Sequence, residues 1–281
     1  MSKQVVPVVS IIIVNYKTAK LTSDAVNSLL TDTSLSIHGA EGRTPIEIIV
    51  IDNASADGSA AKLEQDFGDR ITLLTTERNL GFGPANNLGA TQAKGLYLFF
   101  LNSDTLELHG AVTTLVAFLD RHPGYGVVGP KVLLPDKETI QPASFGRFPT
   151  LTRTLRRTSA VKKPQLDLRF VCTDTDWVTG AALMITAAVF WNTGGFDQRY
   201  FMYFEDQDVC ANVIKMGAKI AVVHDAAIVH FGGQSLPNGK KKYEYYDHSQ
   251  EQFFLKHYGW LKTGLMVCLR FPWKIWRSLA R

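Results

Sequence analysis

The chain has 281 residues, a formal net charge of +4, and 46% hydrophobic and 20% charged residues. That suits one large α/β domain with a tail, or two small domains, and the charge excess is too mild to argue for nucleic-acid binding. The three cysteines, Cys172, Cys210 and Cys268, have neither zinc-ligand nor disulfide spacing, which points to a reducing compartment. No leader-like segment precedes the first predicted strand and no uncharged run would span a bilayer, so the expected location is cytoplasmic, peripheral where it meets a membrane.

Val8–Val14 is a β-branched run that reads as a central strand ending in Asn15-Tyr16-Lys17-Thr18. A helix over about Leu21–Leu30 and a polar loop from Thr31 to Thr44 follow. Ile46–Ile51 is a second buried strand, ending in Asp52-Asn53-Ala54-Ser55, and Ser59 is placed to cap a helix running to Phe67. After a third strand, Ile71–Thr75, the run Asn79-Leu80-Gly81-Phe82-Gly83-Pro84 predicts a tight loop opening a helix to Ala93. Leu96–Leu101 reads as a strand buried on both faces, and it stops at Asn102-Ser103-Asp104. This alternation predicts an α/β, doubly wound, mostly parallel sheet. Ligand crevices in such sheets lie outside the carboxyl ends of the strands, so Asn15, Asp52 and Asp104 are expected along one edge.

A helix over Ala111–Arg121 leads to a strand at Val127–Leu134. Pro135–Asp176 carries Pro135, Pro142, Pro149 and Pro164 and the basic residues Arg153, Arg156, Arg157, Lys162 and Lys163, and is expected to be a long loop over the cleft. The pattern returns at Trp177–Ala181 and in a helix over Ala187–Thr193. Glu205-Asp206-Gln207-Asp208 opens a helix to Met216, and Ile220–Val223 and Ala227–His230 read as two short strands. Acidic residues at a helix start are explained by the helix dipole alone. Here, however, Tyr200, Phe201, Tyr203 and Phe204 precede them, and an apolar surround raises a carboxylate's pKa and suits it to take a proton near neutral pH. Asp104 with one histidine, His230 or its competitor His224, suits a hard divalent cation completed by phosphate oxygens and water. Dinucleotide and Walker-type phosphate loops are excluded, since no glycine-rich turn follows the first strand.

The order VSIIIVNY, IIVIDNAS, ERNLGFGPANN, LYLFFLNSD, WVTGAALMI, GGFDQRYFMYFEDQD, IVHFGG, over about Val8–Gly233, resembles family 2 inverting glycosyltransferases, closest to bacterial rhamnosyltransferase-like members. The resemblance implies a GT-A fold, a nucleotide-sugar donor and magnesium or manganese. By position, Asn15, Tyr16 and Asp52 would hold the nucleoside, and Asn79 and Asn86 would line its pocket. Asn102-Ser103-Asp104 stands where the family has its DXD motif. Asn102 would reach the nucleotide sugar, Asp104 would bind donor and metal, and His230 would be the second metal ligand. Asp206, with Glu205 before it, would be the catalytic base, and Trp177 and Gly180 would lie near the acceptor. Asn102 replaces the first aspartate and brings less negative charge to the cation.

The implied arrangement is a catalytic domain over 1–235, with a nucleotide half at 1–104 and an acceptor half at 105–235, and a tail over 236–281. The tail mixes Trp260, Leu261, Leu265, Leu269, Trp273 and Trp276 with Lys262, Arg270, Lys274, Arg277 and Arg281, and Pro272 is expected to kink or split it. Such a segment suits an anionic membrane surface; the alternatives are packing on the catalytic domain or on a second subunit in a homodimer. The expected activity is sugar transfer, with rhamnose from its dTDP form, to a glycan or polyprenyl-diphosphate-linked acceptor in surface polysaccharide assembly. The alternatives are a UDP-sugar transferase of the same fold, or a catalytically silent nucleotide-sugar binder.

Overall fold

A computed structural model of the chain describes residues 6–37, 39–155, 166, 169–232 and 240–279, with the backbone alone at 154, 155, 240 and 271–279. Arg156, Arg157, Lys162 and Lys163 of the basic patch, and the side chains of Trp273, Lys274, Trp276 and Arg277 and all of Arg281 in the tail, lie outside the described residues. In chain order the elements are β1 (Val9–Asn15), α1 (Ala19–Thr31), β2 (Leu35–Ser36), β3 (Thr44–Asp52), α2 (Ser59–Phe67), β4 (Thr72–Thr75), α3 (Phe82–Gln92), β5 (Tyr97–Asn102) and β6 (Thr105–Glu107). They continue with α4 (Ala111–Arg121), β7 (Tyr125–Leu133), β8 (Phe145–Gly146), α5 (Leu151–Leu155), β9 (Cys172–Thr175), β10 (Trp177–Val178), β11 (Ala182–Thr186), α6 (Ala187–Asn192), α7 (Glu205–Lys215), β12 (Lys219–His230) and α8 (Lys240–Leu279).

The main sheet runs β2-β3-β1-β5-β11-β7-β12-β6, with β4 also on β3 and β9 also on β12. The β-branched strands β1 and β3 and the Leu- and Phe-rich β5 pair in parallel, with Asn15 opposite Asp52 and Val14 opposite Asn102. Side chains alternate across the sheet. Ile11 and Ile13 therefore pack with Leu29, Leu115 and Phe118 from the helices on one face. Ile12 packs with Phe190 and Val213 on the other. A Cβ on Gly89 would come within 2.6 Å of Ile12 and 2.7 Å of Ile51, so α3 seats its backbone directly on β1 and β3.

Several expectations need correction. The two short strands expected at 220–223 and 227–230 are one strand, β12, which absorbs a register shift between Val223 and Ala227 while staying paired to β7. Gly58 in the left-handed region, not Ser59, precedes α2, and the Asp57 carboxylate accepts the Ser59 N–H. The Pro135–Asp176 loop contains β8, α5 and β9, and β8 pairs with β10.

In the tail, the helix breaks at Gly259 (φ 81°, ψ 170°), and the backbone remains helical past Pro272. The positive φ is one that glycine adopts freely, whereas a proline removes a helix hydrogen bond without reversing the chain. The second arm, 260–279, folds back so that Arg270 reaches the Asp247 carbonyl and Gln250, with Glu251 beside it. The hairpin packs on the body through Phe253, Phe254 and Met266, which are buried with Tyr200 and Phe204. A buried ion cluster fixes the seat. Asp208 accepts bonds from Lys256 Nζ at 2.7 Å, His257 Nε2 at 2.7 Å and the Tyr200 hydroxyl at 3.2 Å. Lys256 also reaches Asp197 at 2.8 Å, and Asp197 is held well below the usual carboxylate range by Arg199 and then by Lys256. Removing one partner from such a cluster costs about 3–5 kcal/mol, because it strands a buried charge. Among the described residues no helix is long and apolar enough to cross a membrane.

A second acidic pair lies at the start of α4. Glu107 Oε1 accepts the Ala111 N–H and Asp32 accepts the Gly110 N–H. Burial, then the Asp32 charge, pushes the Glu107 carboxyl up to about 8. Because Glu107 is more basic in the folded chain than unfolded, its contribution is complete below about pH 4.5 and is lost as pH rises toward 8. Glu107→Gln supplies an amide N–H to Asp32 at every pH. In thermal melts it is expected to raise Tm at pH 8 by roughly 3 °C or more, with a smaller difference at pH 5.

Candidate functional site

The carboxyl ends of β1, β3 and β5 open into a cleft of about 1360 Å³, whose opposite wall is the turn before α7 and the hairpin of α8. Of the residues expected at the site, Tyr16, Asn79, Asn102, Asp104, Trp177, Gly180, Glu205, Asp206 and His230 line this cleft. Asn15, Asp52 and Asn86 sit behind it. Asn15 is fully buried, donates to Asp52 at 2.8 Å and Ser55 at 3.1 Å, and accepts from Thr18 and Thr22. Asp52 also accepts the Ser55 N–H, so both residues are engaged in fixing the loops after β1 and β3. Asn86 donates to the Phe82 carbonyl inside α3, and its buried Oδ1 has no partner among the described residues.

Two further cleft residues were not singled out as site residues, Asn53 inside the quoted IIVIDNAS motif and Gln141 outside every motif. Asn53 donates to Asn79 Oδ1 at 3.1 Å and to the Gly81 carbonyl, and accepts the Leu80 N–H, tying the second strand end to the loop before α3. Gln141, from the proline-rich segment, meets His230 Nδ1 at 2.8 Å. The pairing of β6 with β12 sets Thr105 opposite His230 and so brings Asp104 to the same histidine. His224, the competing candidate, bonds Thr173 at 2.8 Å, away from the cleft lining.

The Gln141 contact fixes the ring. His230 Nδ1 lies 2.8 Å from Gln141 Oε1, and its Nε2 lies 3.1 Å from Asp104 Oδ1 and 3.3 Å from the Asn102 amide nitrogen. Among the described residues no group of three or more His, Cys, Asp or Glu that could hold a metal ion converges, and at this point Asp104 and His230 are the two candidate donors. One carboxylate and one imidazole fit a hard divalent cation whose remaining positions are filled by substrate phosphates and water.

Across the cleft, Tyr203 and Phe204 both have φ 69°, an uncommon conformation for bulky residues. Each such residue costs about 1–3 kcal/mol and persists only when its surroundings hold it. The turn delivers Glu205 and Asp206 in the first turn of α7. Asp206 Oδ2 accepts the Gly180 N–H at 2.9 Å and Oδ1 accepts the Gln207 N–H at 2.7 Å. Although part of Asp206 opens to the cleft, desolvation raises its pKa, with the Gly180 and Gln207 N–H groups opposing. Glu205 is 5% exposed, and its Oε2 has no partner among the described residues. Burial first, and then the charges of Asp206 and Asp208, raise its pKa well above the usual value. Both adjacent carboxyls are therefore raised, Glu205 by burial and the neighbouring charges and Asp206 by burial against two N–H groups.

The Glycosyl transferase family 2 model matches residues 10–174. The N-acetylglucosaminyl-diphospho-decaprenol L-rhamnosyltransferase of Mycobacterium tuberculosis is 26% identical over 251 residues, covering 80% of each chain. Rhamnosyltransferase WbbL of Escherichia coli is 24% identical over 190 residues, covering 64% of this chain and 66% of that protein. Among solved structures, the mannosyltransferase PcManGT of Pyrobaculum calidifontis, in complex with GDP-Man and Mn2+, superposes with a TM-score of 0.58 at 15% identity, over 89% of this chain and 63% of that one. TarS 1-349 of S. aureus, in complex with UDP-GlcNAc, gives 0.57 at 18% identity, over 88% of this chain and 66% of that one. The architecture is of the GT-A type. With a match that spans more than half of its residues and these motifs assembled around one cleft, the chain belongs to glycosyl transferase family 2.

Proposed function

We propose that the chain is an inverting, metal-dependent rhamnosyltransferase that moves rhamnose from dTDP-rhamnose to a lipid-linked N-acetylglucosaminyl diphosphate in surface polysaccharide synthesis. The observation that carries this reading is the placement of a carboxylate with a raised pKa, Asp206, across one cleft from the Asp104–His230 pair. Donor and acceptor are taken from the rhamnosyltransferases to which the chain is similar over most of its length.

In this reading Tyr16, Asn53 and Asn79 face the nucleoside, while Asn15 and Asp52 hold the loops that carry Tyr16 and Asn53. Asn102 meets a ribose or sugar hydroxyl. Asp104 and His230 hold magnesium or manganese, with Gln141 orienting the imidazole. When bound, that cation neutralises charge on the departing diphosphate. Gly180 aims Asp206, which takes the proton of the acceptor hydroxyl as its oxygen attacks the anomeric carbon. The bond to the diphosphate oxygen breaks on the opposite face. Glu205, whose pKa burial raises well above the usual value, lies beside Asp206 in the first turn of α7. Trp177, largely buried with its ring N–H donated to the Arg147 carbonyl, lines the acceptor side of the cleft beside Gly180.

The test is a panel of dTDP-rhamnose, UDP-N-acetylglucosamine and GDP-mannose with a soluble N-acetylglucosaminyl diphospholipid and Mg2+ or Mn2+. Transfer is expected from dTDP-rhamnose alone, and Asp206→Asn is expected to lower kcat roughly a thousandfold while the donor-induced thermal shift persists. Near wild-type transfer by Asp206→Asn would contradict the base assignment, and transfer from UDP-N-acetylglucosamine alone would replace the donor.

The second arm of α8 supports peripheral membrane binding. Trp260, Leu261 and Leu265 are 73%, 66% and 51% exposed, on a face turned away from buried Met266. Arg270 and Leu269 on the same arm line the cleft, which brings this apolar stripe beside the site that would receive a lipid-linked acceptor. Vesicles containing phosphatidylglycerol are expected to co-sediment the chain, and Trp260→Ser with Leu261→Ser and Leu265→Ser to weaken this by roughly tenfold or more. Unchanged sedimentation would contradict membrane docking by this arm.

A further inference from the structure

The family model ends at residue 174, and α8 lies wholly beyond it. Yet α8 touches the segment that presents Glu205 and Asp206 at every residue from Phe201 to Phe204. Tyr245 stacks on Phe201 at 4.8 Å between ring centroids. Tyr246 packs on Tyr203 at 5.8 Å and on Phe204 at 5.2 Å, the two residues with φ 69°. Buried Ser249 donates its hydroxyl to the Met202 carbonyl at 2.8 Å. Phe253 packs on Phe204 at 5.5 Å, and one turn further Lys256 and His257 clamp Asp208, two residues after Asp206.

The other side of the turn is gripped by the donor-side loop. The Phe82 N–H donates to the Phe201 carbonyl at 2.9 Å, and a Cβ on Gly81 would lie 2.5 Å from that oxygen. The turn is therefore held between the loop before α3 and the first arm of α8. Its two left-handed residues have no glycine to relax them, so its shape depends on those flanking contacts.

We propose that the first arm of α8 is a splint for the Phe201–Phe204 turn, and that Tyr246 and Ser249 are positioning residues that hold Asp206 against the Gly180 N–H. The proposal rests on the reading of Asp206 as the base. It gives the tail a role in the chemical step that is separate from membrane docking by the second arm. A base displaced by about an ångström loses most of its advantage, while Tyr16, Asn102, Asp104 and His230, the donor-side residues carried by β1, β5 and β12, are held by the sheet. The splint thus acts on kcat and leaves donor KM alone.

The test uses the full chain with Tyr246→Leu, Tyr246→Phe, Ser249→Ala and Asp206→Asn. Amide exchange of residues 203–208 is expected to speed up roughly tenfold in Tyr246→Leu and Ser249→Ala, with exchange in α1, residues 19–31, unchanged. With dTDP-rhamnose and the N-acetylglucosaminyl diphospholipid, kcat should fall roughly tenfold in both at unaltered donor KM, and Tyr246→Phe should restore most of it. Wild-type exchange and kcat in folded Tyr246→Leu and Ser249→Ala would overturn the splint, as would a rise in acceptor KM at constant kcat. Ser249→Ala removes one oxygen and carries the test alone if Tyr246→Leu does not fold. An active Asp206→Asn would instead overturn the base reading, and the exchange data would still decide whether α8 orders the turn.

Discussion

Three parallel strands ending at one height are the constraint on which the rest depends. The register that sets Asn15 opposite Asp52 and Val14 opposite Asn102 places three polar strand ends on a single edge. Parallel strands buried on both faces leave little freedom in that register, since a one-residue slip would turn Ile11, Ile13 and Val50 away from their core. The Asn15–Asp52–Ser55 bonds then fix the loops that leave the edge. One wall of the cleft is thus a consequence of β-branched sequence and sheet geometry.

The facing wall is built differently. It relies on a turn with two strained residues, a glycine N–H and a buried ion cluster. Asp206 is aimed by Gly180, whose close approach to Phe82 and Asp206 leaves little room for a side chain. Asp208 anchors the same helix to Lys256 and His257, nearly fifty residues on in the chain. Precision at Asp206 therefore depends on long-range packing of aromatic rings and on satisfied buried charge, both of which tolerate little substitution.

The sheet half was legible in the sequence because each strand is a continuous apolar run with a polar stop, and periodicity reports that directly. The stops put Asn15, Asp52 and Asp104 on one edge and His230 at the end of its strand, whereas Tyr16, Asn79 and Asn102 were implied by the resemblance; these three line the cleft with Asp104 and His230. What the pattern could not carry was the partner of each polar group. Asn15 and Asp52 share the type and place of ligand-binding residues, yet their hydrogen bonds are consumed by each other and by Ser55. Gln141 lies in a proline-rich segment with no period, and only the fold brings it to His230. The tail was read from composition as a surface anchor. Its second arm keeps that exposed apolar stripe, while its first arm spends its aromatics on the turn beside Asp206, a distinction that depends on the break at Gly259.

The central claim is a single displacement in which Asp206 receives the acceptor proton on the face opposite the departing diphosphate. The most direct test is the anomeric configuration of the transferred sugar, read by NMR of the purified product and compared with that of the nucleotide-bound donor. The account predicts the opposite configuration in the product. A product that keeps the donor's configuration would contradict it, because two displacements or a front-face route would then be required.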